Sequence, residues 1–356
     1  MRKRLVFLVL LAVLPLMLTG CWDRKDPEDR AFIITLGVDK SGDACRFSFA
    51  PANMDTGEAE VYTAEAQTLA EAVAQVDCRT SRKTDLGQLK TVIIGADILR
   101  EERELMAFLR ELERSRTVSE KVMLLATENT AADCVDAAMK EDGKTGLFLW
   151  DFYKNTAREV AVTKGMDLDT FLTEWQEQGN CAVLPRISVE ETGEKKEKKL
   201  RLGGGMAVTE DTAYFLKNAE ERGYLFLLGE AEGALLETEY HGEVLPLGIT
   251  KSDVRYTFTP LQNNKLLCSI TLPLAGTLQG GEGGFLSPET HEAMKQRFEQ
   301  EIRHEIEHTL RRAESAGRDL FGILPRAERA GFAVEWETLT FEIIPQLQLK
   351  DIGRRR

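Results

Sequence analysis

The sequence predicts a mixed α/β protein of more than one domain, with mixed sheets packed against helices and a long helix in its C-terminal part. Three observations point there. Short β-branched runs such as "FIITLGV" alternate in the first half with stretches whose apolar residues recur at helical spacing. A charged segment after residue 286 carries both a helix start and a helix stop signal. A chain of 356 residues is also long for one small core.

Each element has its own local reason. Phe32 to Val38 reads as a strand that ends in the turn "DKSGD", and Arg46 to Ala52 reads as the next strand. Thr68 to Ser81 places Leu69, Val73 and Val76 at helical spacing. Leu89 to Ile94 is a β-branched strand, and a helix over Glu101 to Glu113 aligns Leu105, Phe108, Leu109 and Leu112 as its buried stripe. Val122 to Thr127 is a further strand. Thr130 then caps a helix through Met139, since its hydroxyl can accept from an orphan N–H. Helical segments over Leu147 to Arg158 and Leu168 to Gln178 follow, then a strand over Ala182 to Val189.

"EETGEKKEKK", residues 190 to 199, has no apolar side chain and reads as a solvated hairpin tip or interdomain loop. Beyond it come strands over Leu200 to Val208 and Thr212 to Leu216, a helix over Ala219 to Leu228, and strands over Glu243 to Thr250 and Arg255 to Thr259. Lys265 to Leu278 is a long strand with an expected bend at Pro273, and "QGGEGG" a flexible loop. Ser287, as N-cap, and Pro288, at the first helical position, open the longest helix, which Gly317 stops. Pro325 to Arg329 is a short helical stretch, and Thr340 to Leu349 alternates as a last strand. The division expected is residues 1–20 as an export signal, 21–198 as an N-terminal α/β domain, 199–250 as a small middle domain and 251–356 as a C-terminal α/β domain.

The first thirty residues bear on location. Arg2, Lys3 and Arg4 precede an almost wholly apolar run from Leu5 to Leu18. That run is too short to cross a hydrocarbon core of about 30 Å and suits the h-region of a signal. Leu18-Thr19-Gly20-Cys21 then reads as a lipobox, cleaved before a cysteine whose thiol carries diacylglycerol and whose freed amine is acylated. Two or more acyl chains give stable anchoring. The mature chain would begin at Cys21, and Trp22 to Arg30 would tether the first strand within about 30 Å of the lipid.

Losing residues 1–20 takes the formal charge from −13 to −16, which argues against a nucleic-acid partner and for a body that stands off anionic headgroups. Cys45, Cys78, Cys134, Cys181 and Cys268 are widely spaced, form no C-x-x-C pair and read as buried free thiols. His304-Glu305-Ile306-Glu307-His308 fits H-E-x-x-H, with Glu328 as a conceivable third ligand. Ile302, Ile306 and Leu310, however, form the apolar row, and the two histidines fall about 200° around the helix from it. A solvated polar face is the better reading. Gly143-Lys144-Thr145 lacks the earlier glycine of a P-loop. Gly203-Gly204-Gly205 could let a backbone approach an anion, but no helix start follows it, so a strand bulge is expected. No catalytic, metal or cofactor residues are therefore assigned.

Several stretches in order resemble the Ger(x)C spore germination lipoproteins, the C subunits of nutrient germinant receptors. They are "GCWDRKDPEDRAFIITLGVDK", with its strand ending Gly-x-Asp, "LGQLKTVIIGADILR", "FLRELERSRTVSEKVMLLAT", "RLGGGMAVTEDTAYFLKNAEERGYLFLLGE" and "RDLFGILPRAERAGFAVEWETL". The resemblance implies three α/β domains, lipidation at Cys21, and a location on the outer face of the spore inner membrane. It also implies two integral-membrane partner subunits, of A and B type, one of them transporter-like, and no catalytic residues. A lipid-anchored extracytoplasmic solute-binding protein is the alternative class, and an envelope metalloenzyme built on His304 and His308 a third.

Overall fold

The computed structural model describes residues 27–52, 60–141, 147–157, 159–193, 197–240, 243–278 and 287–350. Its strands form two sheets. The first is built from β1 (Arg30–Ser41), β2 (Ala44–Pro51), β3 (Tyr62–Ala66), β4 (Lys83–Asp85), β5 (Thr91–Gly95), β6 (Met123–Thr127), β7 (Met166–Asp167), β8 (Cys181–Thr192), β9 (Glu197–Thr209) and β10 (Ala213–Phe215). Its order is β10-β9-β8-β6-β5-β1-β2-β3, with β4 on β1 and β7 on β6. The central strands β1, β5, β6 and β8 run parallel, so helices cross over between them. Helices α1 (Leu69–Asp77) and α3 (Glu102–Arg114), the latter preceded by the single turn α2 (Ala96–Leu99), pack one face. Helix α4 (Ala131–Glu141) and the turn α5 (Phe148–Asp151) pack the other. The predicted stripe of α3, Leu105, Phe108, Leu109 and Leu112, is buried in full. Helix α6 (Leu168–Glu177) adds Phe171 and Trp175 to the same core as α1 and α3.

The second sheet centres on β14 (Leu266–Leu278). Along one edge of β14 lie β12 (Glu243–Ser252), itself paired to β11 (Leu235–Tyr240), and β13 (Arg255–Pro260). On its other edge β15 (Leu339–Lys350) runs parallel over the whole length of the strand. Helix α7 (Asn218–Leu228) and the long helix α8 (Pro288–Ala316) cover one face of this sheet. Ser287 caps α8 by accepting from the Thr290 N–H at 3.1 Å, and Gly317 ends it in the left-handed conformation, φ 63°. The shorter α9 (Ile323–Arg329) follows. One apolar core takes Phe298, Ile302 and Ile306 from α8 together with Cys181, Val183 and Ala207 from the first sheet, so the two sheets share buried surface.

The structure departs from the sequence reading in several places, among them the short strands β3, β4 and β7, which the sequence reading did not include. The helix expected over Leu147 to Arg158 is one α-turn followed by a π-helical turn, Phe152–Thr156; Arg158 and the loop "QGGEGG" lie outside the described residues. Strand β11 went unread because Leu235 and Leu236 are too few to show a period. Pro273 makes no break. The β13 partners of β14 end at Thr271 and the β12 partners begin at Leu274, so the missing N–H falls where one neighbour gives way to the next. Finally, position 198/199 lies inside the β8–β9 hairpin and 250/251 lies inside β12, so residues 199–250 divide between the two sheets. Of the charged stretch 190–199, residues 190–192 and 197–199 pair at the far end of that hairpin, with Thr192 opposite Glu197, and residues 194–196 lie outside the described residues.

Candidate functional site

Cys21 lies outside the described residues. The point where the N-terminal stretch enters the first sheet is well defined. Arg30 opens β1 and its guanidinium is ion-paired with Asp85, while Arg30 to Phe32 pair with Lys83 to Asp85 of β4. The chain therefore enters the sheet at the end where the parallel strands β1, β5 and β6 begin.

At the opposite end of β1, "GVD" has a physical role that sequence reasoning missed. The Asp39 carboxylate accepts from the Ala131 N–H at 2.6 Å and from the Ala132 N–H at 3.0 Å, at the start of α4. Thr130 caps the same helix, as expected, accepting from the Asp133 N–H at 3.2 Å. Gly37 lets α4 approach, since a Cβ there would stand 2.9 Å from Val135 Cγ2. Gly95 makes room for the carboxylate, since a Cβ there would stand 2.6 Å from Asp39 Oδ1. Burial pushes the Asp39 carboxyl above its ordinary range, against the two backbone bonds that favour its ionised form. The only sequence signal was a Gly-x-Asp at a strand end.

A second long-range cap borders a groove of about 960 Å³ between β2, α1 and α3. Glu111 of α3 accepts from the Leu69 and Ala70 N–H groups, both at 2.9 Å, at the start of α1. Glu104, also lining this groove, pairs with Lys40 at 2.9 Å. These carboxylates serve the fold, and Cys45, which also lines the groove, has its thiol pushed up by burial.

The motifs set aside above have clear structural roles. His304 and His308 are exposed, whereas Glu305 is buried at 2% exposure and takes a forked ion pair from Arg222 of α7, with Nε at 2.9 and 3.1 Å from its two oxygens. The Glu and the two His of the motif thus face different surroundings, and Glu328 is exposed on α9. Among the described residues, no three His, Cys, Asp or Glu side chains come together as metal ligands. Gly203 and Gly204 stand opposite Arg186 alone, a bulge with φ of 121° and 99°. The Gly204 N–H does meet an anion, the protein's own Glu221, at 2.9 Å; the same oxygen also accepts from the Thr163 N–H and hydroxyl at 3.0 Å. Gly143-Lys144-Thr145 lies outside the described residues.

The cysteines split. Cys134, Cys181 and Cys268 are buried, and burial pushes their thiols to about 11, 12 and 12 respectively, so they stay protonated at neutral pH. Cys45 is half-buried and Cys78 is exposed, which corrects the expectation that all five are buried. Arg79, next to Cys78, gave no warning of this in the helical pattern.

The architecture is thus a two-sheet α/β framework in which Asp39 and Glu111 cap helices and Glu104 and Glu305 hold ion pairs. Comparison with known proteins names the class. The spore germination protein N-terminal domain family matches residues 23–189, and the spore germination B3/GerAC-like C-terminal family matches residues 204–350. This chain belongs to the GerAC-like family of spore germination proteins. The spore germination protein KC of Bacillus subtilis (strain 168) is 20% identical over 389 residues, covering 98% of this chain and 94% of its own length. The protein YfkR of the same organism is 22% identical over 353 residues, covering 93% and 89%. The crystal structure of the GerBC protein superposes with a TM-score of 0.58 at 14% identity, over 91% of this chain and 99% of that one, which establishes the shared mixed α/β fold.

Proposed function

We propose that this chain is a lipid-anchored, non-catalytic subunit of a nutrient-sensing germinant receptor. In this reading Cys21, N-acylated and S-linked to diacylglycerol, holds it on the outer face of the spore inner membrane. There it assembles with two integral-membrane subunits, one of A and one of B type, one of them transporter-like. The supporting observation is that the family match begins at residue 23, two residues past the lipobox cysteine. The short stretch from there to Arg30 would keep the first sheet near the bilayer and raise its local concentration for such partners. The engagement of Asp39, Glu111, Glu221 and Glu305 in caps and ion pairs supports a structural over a catalytic role.

Cys21→Ala tests this in sporulating cells. The variant should fold, leave the membrane fraction, and fail to co-purify with integral-membrane subunits, with slowed nutrient germination. Normal membrane fractionation and assembly would sink the reading. A lipid-anchored solute-binding protein is the second reading, favoured by the groove between β2, α1 and α3. A nutrient that raises the Tm of the isolated chain would support it.

A further inference from the structure

A second cavity, of about 420 Å³, opens beside Trp150 and Tyr153, and Lys121, Lys154, Lys164 and the carboxylate of Asp167 line it. Lys90 stands outside that lining, at the rim, over the Trp150 ring. Its ammonium stands 5.9 Å from the centroid of the Trp150 ring, and that of Lys154 stands 5.8 Å from the same centroid. Lys121 is committed to Asp167 and Asp169, at 3.4 and 2.9 Å, and Lys164 to Glu230 at 2.7 Å. Neither Lys90 nor Lys154 has a carboxylate partner among the described residues. Two cations on one half-buried indole, with no carboxylate partner among the described residues, make a local exception in a chain of net charge −13 whose body otherwise repels anionic headgroups.

The position says what would neutralise them. Lys90 is held at the start of β5, its N–H donating to the Ile34 carbonyl at 2.9 Å and its carbonyl accepting from the Met123 N–H at 2.9 Å. Ile34 is four residues into β1 from Arg30, roughly 13 Å along a strand. The cavity therefore opens at the end of the sheet where the tether joins. An indole flanked by ammonium groups suits the headgroup boundary of a bilayer, where the ring meets glycerol and acyl atoms and the cations meet phosphate.

We infer that this cavity binds the phosphate headgroup of an anionic phospholipid and so orients the first sheet on the membrane. The inference deepens the proposed function, since it takes the tether to be the lipid anchor, but its test does not depend on acylation. The chain from residue 21, carrying Cys21→Ser, is mixed with phosphatidylcholine vesicles with and without phosphatidylglycerol, and binding is read by flotation. Binding should require phosphatidylglycerol and weaken about fivefold with each of Lys90→Gln and Lys154→Gln at unchanged Tm. Lys154 is exposed, so K154Q alone keeps the test if K90Q fails to fold. Equal binding to both vesicles, binding indifferent to K154Q, or glycerol 3-phosphate in solution binding as tightly as vesicles would each overturn it, the last by making this a free-phosphate site. Failure of Cys21→Ala to leave the membrane in cells, with phosphatidylglycerol binding intact in vitro, would remove the anchor and leave the pocket.

Discussion

Asp39 and Ala131 are 92 residues apart and joined by a 2.6 Å hydrogen bond from the Ala131 N–H to the Asp39 carboxylate. The bond ties the end of β1 to the start of α4. It does so at the helix N-terminus, where a negative charge meets unsatisfied N–H groups and the positive end of the helix dipole. Asp39→Ala is expected to destabilise the protein by about 1–2 kcal/mol, the scale of a lost N-cap. Gly95→Ala should act through the same contact, because its Cβ would stand 2.6 Å from Asp39 Oδ1. The double variant should then cost less than the sum of the two, read by urea unfolding. Simple additivity would mean that Gly95 serves some other purpose.

Arg222 and Glu305 give a pH-dependent prediction. Burial, which outweighs the opposing contact with Arg222, holds the Glu305 carboxyl above its ordinary value of 4.5. A carboxyl raised in the folded state contributes stability that is complete below the unfolded value and lost as pH rises through the folded one. Arg222→Met removes the partner and raises the folded value further. The variant should lose about 3–5 kcal/mol at neutral pH, the scale for an orphaned buried charge, and recover much of that as pH falls toward 4.5. Urea midpoints of both proteins across that range check it, and a loss independent of pH would refute it.

The free edge of β15 is the third test. On that edge Leu347 donates its N–H to Glu299 at 2.8 Å, and the Ile343 carbonyl accepts from Arg303 at 3.1 Å. The Leu349 carbonyl lies 3.1 Å from His291 Nε2. One polar row of α8 therefore occupies backbone groups that could otherwise template another strand. The pair Glu299→Ala and Arg303→Ala should make the protein associate with rising concentration, seen by light scattering, while single substitutions on the far face such as His304→Ala should not. A monodisperse double variant would show that the edge is guarded by something else.

Much of this fold was legible locally. Ser287, Pro288 and Gly317 bound α8 as their chemistry requires, and Thr130 caps α4. The stripe of α3 and the row Ile302, Ile306 and Leu310 were readable because helical period alone decides which face is apolar. The same arithmetic turned His304 and His308 outward. It could not show that Glu305 turns inward to Arg222, a residue 83 positions away on another helix. Nor could it bring Lys90 to the ring of Trp150, sixty residues away on another element, although Trp150 and Lys154 lie one turn apart on the same stretch.

The sequence by itself determined the class of fold, most element boundaries, the family and the expectation of a lipid at Cys21. These rest on interactions within a few residues, on apolar period, or on a contiguous motif. Tertiary structure alone decided that Asp39 caps α4, that β14 and β15 run parallel in register, and that Lys90 and Lys154 share the Trp150 ring near the end of the first sheet where β1 begins. The reason is that backbone groups at helix starts and strand edges accept any partner of suitable charge and shape. Which one arrives is set by the packing of elements far apart in the chain.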